Sequence, residues 1–364
     1  MTPEQDGLVC LTNPYVWPEV RRGSEAVVRG LAMWMVTQGI SVEVVGGGAT
    51  RGLRSLDGVP VVVVRARDLR RLHHDLDAET TLLPPLALHL RRRHPRLVHS
   101  FLYPDACAAR LAGLPYVVSY GGIALSFAGH RVKRALFKLA SDGARAIVCP
   151  SAAAAEHLAK TYGYKAEVIP NGLNVDRFGV DAPPAGDVVL CAATPDDRRK
   201  RLEVLVDAFS MLSRRRPAVE LVLAGAASPQ AQAALLERLP EEHVRGRVRF
   251  IGDVDAEELT RLYASAAVTC LPSLNEAFGM VLVESLAAGT PVVGAHHGAI
   301  PEIVDDEVGA TFTPDDPEAC ARALEDVLER ASDPGLSDRC RERARRYDWS
   351  VVGPRFLELY ERVA

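Results

Sequence analysis

The sequence predicts an α/β fold made of two similar halves, each a largely parallel sheet flanked by helices. Three observations predict it. Short apolar runs, among them 42–45, 116–119, 220–224 and 266–271, recur with amphipathic helical stretches between them, which is the pattern of repeated βαβ units. These runs are mostly apolar, without strict alternation, as befits strands covered on both faces. The chain's 364 residues exceed what one such domain needs and suggest two.

Composition narrows the class. Hydrophobic residues at 48% and charged residues at 25% supply an ample core and an ordinary soluble surface. A net charge of −4 and a pI near 6.2 argue against nucleic acid as a partner. The seven cysteines (Cys10, Cys107, Cys149, Cys191, Cys270, Cys320, Cys340) are scattered and form no CxxC. Four sit in apolar runs, where a thiol acts as a small hydrophobe, so a reducing cytoplasm is expected and a disulfide framework or zinc site is not. The opening MTPEQDGLVC has no basic segment and no apolar core, so no signal peptide is expected. No run reaches the ~18 apolar residues of a membrane span. These features predict a cytoplasmic protein.

In the first half, residues 7–12 read as a strand, 14–25 as a loop and 26–37 as a helix, with Ser24 a candidate cap. Strand 42–45 ends in Gly46-Gly47-Gly48, read as a flexible loop because the G-x-G-x-x-G spacing is absent. Strands 61–64 and 97–99 bracket a helix over 80–93, and strand 116–119 runs into Tyr120-Gly121-Gly122. Residues 130–140, HRVKRALFKLA, form a basic amphipathic helix. A solvated face is the favoured reading of it; a weak peripheral contact with an anionic membrane, or attraction of an anionic acceptor, are the alternatives. Strand 146–150 leads to a helix capped by Ser151. Strand 167–169 ends in the turn Pro170-Asn171-Gly172, and 179–186, with Pro183-Pro184, reads as a linker. Domains are expected over 1–175, joined by the last helix at about 349–364, and over 176–348.

In the second half, strand 187–192 precedes the basic run 198–201 and a helix over 202–212; strands follow at 220–224 and 248–252. Asp253-Val254-Asp255 resembles a metal-binding pair, but Asp255 with Glu258 makes a capping box for helix 256–265. Beyond 266–271 come a polar loop (272–277), a helix (278–288), Gly289-Thr290-Pro291 and a strand over 291–294. His296-His297 lacks a third ligand and is not read as a metal site. Helices are expected over 317–331, 338–347 and 349–363.

The stretch from Leu271 to Val304, LPSLNEAFGMVLVESLAAGTPVVGAHHGAIPEIV, carries the chemistry. A strand–loop–helix–strand unit puts the loop and the helix N-terminus on the carboxyl edge of the sheet, where open α/β folds bind ligands. The amides of Gly279, Met280, Val281 and Leu282 can then receive an anion. Glu276, in the loop, and Glu284, about two turns along the helix, frame that anion; one can accept from sugar hydroxyls and the other from ribose hydroxyls. The bland reading has both acids as solvated charges at a helix end. Gly279, the Ala287-Ala288-Gly289 run and Thr290-Pro291 favour close approach of backbone to a ligand instead.

This spacing, Glu276-x7-Glu284 within NEAFGMVLVESLAAGTPVV, resembles the donor-site signature of retaining glycosyltransferases of family 4, which have the GT-B fold. The likeness extends more weakly over nearly the whole chain. It implies two Rossmann-like domains facing across a cleft, with a final helix returning to the first domain on Trp349, Phe356 and Tyr360. It implies that Lys200 and Arg199 neutralise a donor diphosphate, and that Ala277 and Phe278 join Glu276 to Leu282 in the donor pocket with Ile251 near the base. Gly23 and Ser24 stand where the family has a glycine-rich loop against the donor phosphate, here with one glycine. Two departures stand out: the family's arginine falls near Thr194 or Pro195, so that its contact is missing or supplied by Arg198 or Arg199, and Tyr120, or Gly121 if the register slips by one, holds the place of a histidine that faces the reacting sugar.

The function implied is transfer of a hexosyl or N-acetylhexosaminyl group, with retention, from a UDP- or GDP-linked sugar to a hydroxyl of a small-molecule, saccharide or lipid acceptor. No cofactor and no tightly bound metal is implied, and the chain is expected as a monomer or homodimer. Acceptor choice would lie in loops 14–25, 46–58 and 120–132. The rival readings are an epimerase or phosphorylase on the same fold, and a nucleotide-sugar-binding subunit without catalysis.

Overall fold

Valine-rich runs become the strands and the amphipathic stretches between them become crossover helices. The computed structural model describes residues 7–15, 23–68, 77–122, 130–180, 186–239, 241–331 and 333–364. Two units result, one running to Gly172 and including Trp349–Ala364, the other Leu173–Asp348.

The first unit contains β1 (Val9–Asn13), α1 (Gly23–Thr37), β2 (Val42–Gly48), β3 (Gly52–Leu56), β4 (Val59–Arg65), α2 (Ala78–Thr81), α3 (Leu83–Arg93), β5 (Leu97–Ser100), α4 (Tyr103–Ala112), β6 (Tyr116–Ser119), α5 (Arg131–Gly143), β7 (Ala146–Cys149), α6 (Ala152–Tyr162) and β8 (Glu167–Val168). Its eight-stranded sheet has the order β3-β4-β2-β1-β5-β6-β7-β8, parallel except for the β3–β4 hairpin. That hairpin was not expected, although Asp57-Gly58 (φ 51° and 81°) is its signal. The glycines 46–48, read above as a loop, are strand: Gly46 pairs with Asn13, and all three pair with β4. A Cβ on Gly47 would lie 2.8 Å from the Pro14 carbonyl oxygen, and one on Gly48 2.6 Å from Val63. The expected helix over 80–93 divides at Leu82, where Pro84 and Pro85 begin a new helix because they have no amide hydrogen to continue the old one. Ser151 caps α6, accepting from the Ala154 amide at 3.0 Å.

The second unit contains β9 (Val188–Ala192), α7 (Leu202–Arg215), β10 (Glu220–Ala224), α8 (Pro229–Glu237), α9 (Glu242–Arg245), β11 (Val248–Gly252), α10 (Ala256–Ser265), β12 (Val268–Leu271), α11 (Met280–Ala287), β13 (Val292–Ala295), α12 (Ile300–Ile303), β14 (Gly309–Phe312), α13 (Pro317–Arg330) and α14 (Leu336–Arg345). Its six strands run in the order β11-β10-β9-β12-β13-β14, all parallel. This is a doubly wound sheet, and its order reverses between β9 and β12. Asp255 caps α10 through the Glu257 and Glu258 amides. Part of the expected linker, residues 181–185, lies outside the described residues. All seven cysteines are free and buried. Among the described residues no helix is long and apolar enough to cross a membrane.

The last helix, α15 (Trp349–Val363), packs on the first unit. The Trp349 indole lies where a Cβ on Gly30 of α1, or on Gly172, would come within 2.4 Å of it. Phe356 and Tyr360 are buried. The Tyr360 hydroxyl meets His99 Nδ1 at 2.5 Å, and His99 Nε2 meets Ser119 Oγ at 2.8 Å. Burial lowers the His99 pKa to about 3 from an ordinary 6.5, so the folded imidazole stays neutral.

Acidification from about pH 6.5 should therefore cost about 1.4 kcal/mol of stability per pH unit through His99 alone, because the unfolded chain takes up a proton that the fold refuses. Urea unfolding between about pH 7 and pH 5 checks this: His99→Gln should flatten that part of the pH profile. An unchanged slope refutes the assignment.

Candidate active site

The point where the second sheet reverses its order is open at the carboxyl ends of β9 and β12, and the segments leaving those strands supply its side chains. After β9, Asp197 caps a single 3₁₀ turn, Arg198–Lys200, by accepting from the Arg199 amide at 3.0 Å. Arg201 ends the turn in the left-handed region (φ 51°) and is tied down by Asp315 and Glu203, at 2.6 and 2.8 Å. Lys200 is thereby aimed at the loop after β12. Its Nζ lies 2.6 Å from Glu276 Oε1, with the two side chains 20% and 16% exposed. The Leu274 amide donates to the Arg199 carbonyl at 2.9 Å, which locks basic turn and acidic loop to each other.

Glu276 is placed by its backbone. Asn275 adopts φ 58°, and its amide donates to His297 Nδ1 at 3.1 Å. The Ala299 amide donates to the Glu276 carbonyl at 3.0 Å. Gly298 (φ 59°) lies so close beneath that a Cβ there would sit 2.6 Å from that same carbonyl oxygen. His297, considered above as a weak metal ligand, instead supports the loop, while His296 Nδ1 pairs with Thr311 Oγ1 at 3.0 Å.

Gly279 (φ 102°) turns the chain into α11. The first amides of a helix have no partner within it, so those of Gly279, Met280 and Val281 are left at the carboxyl edge of the sheet without one. The Leu282 amide, expected among them, instead donates to the Gly279 carbonyl at 2.9 Å, and the Leu282 side chain is core. Ala277 lies in the loop beside Glu276, and Phe278 is buried edge-on against Tyr347, ring centroids 5.4 Å apart. Ile251 is half-buried near the end of β11.

Arg199 is turned onto Asp197, with contacts of 3.0 and 2.6 Å. Its hydrogen bonds to that carboxylate raise the Arg199 pKa against the opposing effect of burial. Burial works against charge on Asp197, but the Arg199 bonds outweigh it and hold the carboxyl below its usual range. No arginine stands at Thr194 or Pro195. Glu284, half-buried just over one turn into the site's helix, accepts from the Tyr263 hydroxyl at 2.9 Å. Burial pushes its carboxyl up, opposed by that hydrogen bond and by the charge of Arg177. Neither Tyr263 nor Arg177 was singled out in the sequence: Tyr263 sits among apolar residues and reads as core.

In the first unit, Gly23 and Ser24 form the start of α1, so Ser24 is within the helix rather than its cap. The preceding Arg21-Arg22, with the rest of 16–22 and the acceptor-loop residues 123–129, lie outside the described residues. Tyr120 is a correction. It is 3% exposed, packed with Phe137, His157 and Tyr162, and its hydroxyl is buried without a partner. The aromatic cluster draws the ring into the core, whereas a tyrosine facing a sugar must reach solvent.

The profile described as Glycosyltransferase Family 4 matches residues 21–177, and that described as Glycosyl transferases group 1 matches residues 180–347. The chain belongs to glycosyltransferase family 4. Among relatives, it is 36% identical over 217 residues to the phosphatidyl-myo-inositol mannosyltransferase of Mycobacterium tuberculosis, covering 56% of this chain and 55% of that protein. It is 34% identical over 186 residues to the D-inositol 3-phosphate glycosyltransferase of Saccharomonospora viridis, covering 49% and 43%. The chain thus spans about half the length of the curated relatives it matches. Among solved structures, sucrose-phosphate synthase from Thermosynechococcus elongatus matches with a TM-score of 0.81 at 20% identity, covering 98% of both chains. Anabaena HepE in complex with UDP and glucose matches with a TM-score of 0.75 at 19% identity, covering 97% of this chain and 99% of that one. The likeness of these structures places this family member in the GT-B fold.

The saddle under Glu276 gives a test. Gly298→Ala should cost about 1–3 kcal/mol, from a left-handed backbone that now carries a side chain and from the displaced loop. Thermal unfolding measures the cost, and a variant as stable as the parent contradicts the geometry.

Proposed function

We propose that the protein is a retaining glycosyltransferase that moves a hexosyl or N-acetylhexosaminyl group from a nucleoside-diphosphate sugar to an acceptor hydroxyl. The observation that carries this reading is the Lys200–Glu276 contact of 2.6 Å beside the open amides of Gly279 to Val281, at a sheet switch point. A cation and unpaired amides suit a diphosphate leaving group, whose charge grows as the sugar departs. A carboxylate one contact away suits sugar hydroxyls, and Glu284 suits the ribose. UDP- and GDP-linked donors are the first candidates; HepE, a structural neighbour, is described in complex with UDP and glucose, and a relative is named a mannosyltransferase.

Without donor, Lys200 and Glu276 neutralise each other. On this reading the diphosphate takes Lys200 while the sugar takes Glu276, so donor binding splits one ion pair into two substrate contacts. Arg199 can swing from Asp197 to add a second cation, standing in for the arginine missing near Thr194. The charge on the diphosphate is met by side chains and amides, so the reading needs no tightly bound metal. The acceptor hydroxyl attacks the face the diphosphate leaves, and a phosphate oxygen takes its proton; Tyr120, buried, takes no part. Catalysis is then mostly positioning and charge stabilisation.

A thermal-shift panel of UDP, GDP, ADP and dTDP with their common sugar conjugates tests the donor site. A ligand at ~100 times its dissociation constant stabilises the fold by ~2.7 kcal/mol; Lys200→Ala should abolish the response and Glu284→Ala should roughly halve it. Absence of any response in the parent protein defeats the reading. Binding without turnover over a broad acceptor screen would instead favour the non-catalytic subunit.

Glu276→Gln separates the roles of the ion pair. Freed from its partner, Lys200 should hold the bare nucleoside diphosphate a few-fold more tightly, since the diphosphate no longer has to displace a carboxylate from it. Turnover should nevertheless fall by roughly 100-fold or more, because the sugar loses its orienting carboxylate. Calorimetry and initial rates measure the two; weakened diphosphate binding would contradict the arrangement.

A further inference from the structure

Glu284 is held from behind. Tyr263, on α10, is fully buried, and its hydroxyl donates to Glu284 Oε2 at 2.9 Å. The tyrosine is itself anchored: Thr290 Oγ1 donates to its carbonyl at 2.6 Å, and its ring lies 6.4 Å from that of Phe178. A carboxylate offers about four lone-pair positions. One bond from Tyr263 fixes the plane of the group and leaves Oε1, with part of Oε2, for a ligand. Because the phenol is neutral, it orients the carboxylate without cancelling its charge, as a lysine or arginine at the same place would.

We propose that Tyr263 is a positioning residue which sets the orientation of Glu284 and through it the protein's discrimination between ribose and 2′-deoxyribose in the bound nucleotide. This rests on the donor-site reading above. A free carboxylate on a helix rotates between wells and accepts from water as readily as from a hydroxyl; one pinned by a buried donor presents its remaining lone pairs in one direction. Two adjacent ribose hydroxyls need that fixed direction, whereas a single hydroxyl does not. The groups acting on the charge of Glu284 are Tyr263 from α10 and Arg177 from the turn Val175–Phe178. Both favour the ionised form against burial, so removing the tyrosine hydroxyl should make the carboxyl protonate at higher pH.

Calorimetric titration with UDP, GDP and ADP, each beside its 2′-deoxy counterpart, tests this on the full chain. The parent should prefer the ribonucleotide by about tenfold, the worth of one hydrogen bond to a charged group, and Glu284→Ala should bind both forms alike. Tyr263→Phe, which keeps the ring, should reduce the preference to roughly threefold or less and move the acid-side loss of affinity to higher pH. Should that variant fail to fold, Tyr263→Met fills the space without the donor and carries the same expectation. A preference and pH profile unchanged from the parent would leave Tyr263 a packing residue and overturn the proposal. A parent that binds nucleotide without preference also overturns it, by removing Glu284 from the ribose, while leaving donor binding intact. No nucleotide binding at all defeats the donor-site reading and this proposal together.

Discussion

Parallel strands joined by right-handed crossovers leave one place on their carboxyl edge that no crossover covers, where the strand order reverses. In the second unit that place lies between β9 and β12, and the rest of the site depends on it. The segments leaving the two strands must turn away in opposite directions, so each begins with a short irregular stretch. One is the 3₁₀ turn Arg198–Lys200 and the other the loop before α11. Neither could carry its charged residue to the same point without the reversal, since Lys200 and Glu276 are 76 residues apart in sequence.

Irregular backbone at an edge must still satisfy its polar groups, and the way it does so determines the precision of the site. Here the partners are mutual. Leu274 donates to the carbonyl of Arg199, Ala299 to that of Glu276, and Asn275 to a histidine ring. The positive φ values at Arg201, Asn275, Gly279 and Gly298 fall at the hinges of these same segments. At Arg201 and Asn275, which carry side chains, such backbone is strained and persists only where the surroundings over-determine it. Three of the four flank the two charged residues of the site; the fourth, Gly298, lies beneath Glu276.

How much of this was legible in the sequence depended on punctuation. Strands β6, β10 and β11 and helix α10 were read with their observed bounds because turn residues, caps or prolines bracket them. The glycines 46–48 misled: without side chains they look like a loop, yet they pair with β4, and at Gly47 and Gly48 the neighbours leave no room for a Cβ, a constraint visible only once Pro14, Val63 and Leu82 are in place. The β3–β4 hairpin was missed although Asp57-Gly58 announced it. Glu276, Glu284 and Lys200 could be named from spacing and resemblance, but their surroundings could not. Tyr263 is one apolar-looking residue in a core segment until α10 packs on α11. Tyr120 occupied a suggestive position in sequence, and only the cluster of Phe137, His157 and Tyr162 reveals that its ring turns inward.

The two carboxylates of the site are kept ready by different means, and the difference follows from their depth. Glu276 lies near the surface and is balanced by a full charge, that of Lys200. Both members of that pair keep some contact with solvent, so a ligand bearing several charges can part them by offering each a new partner. Glu284 lies deeper, where an opposing full charge would bind too strongly to yield and an unpaired carboxylate would protonate. A neutral tyrosine hydroxyl, with Arg177 acting at longer range, meets both limits: it supports the charge and need not be displaced. The exchangeable partner therefore stands where a contact must break on binding, and the fixed partner where one must only be held in place.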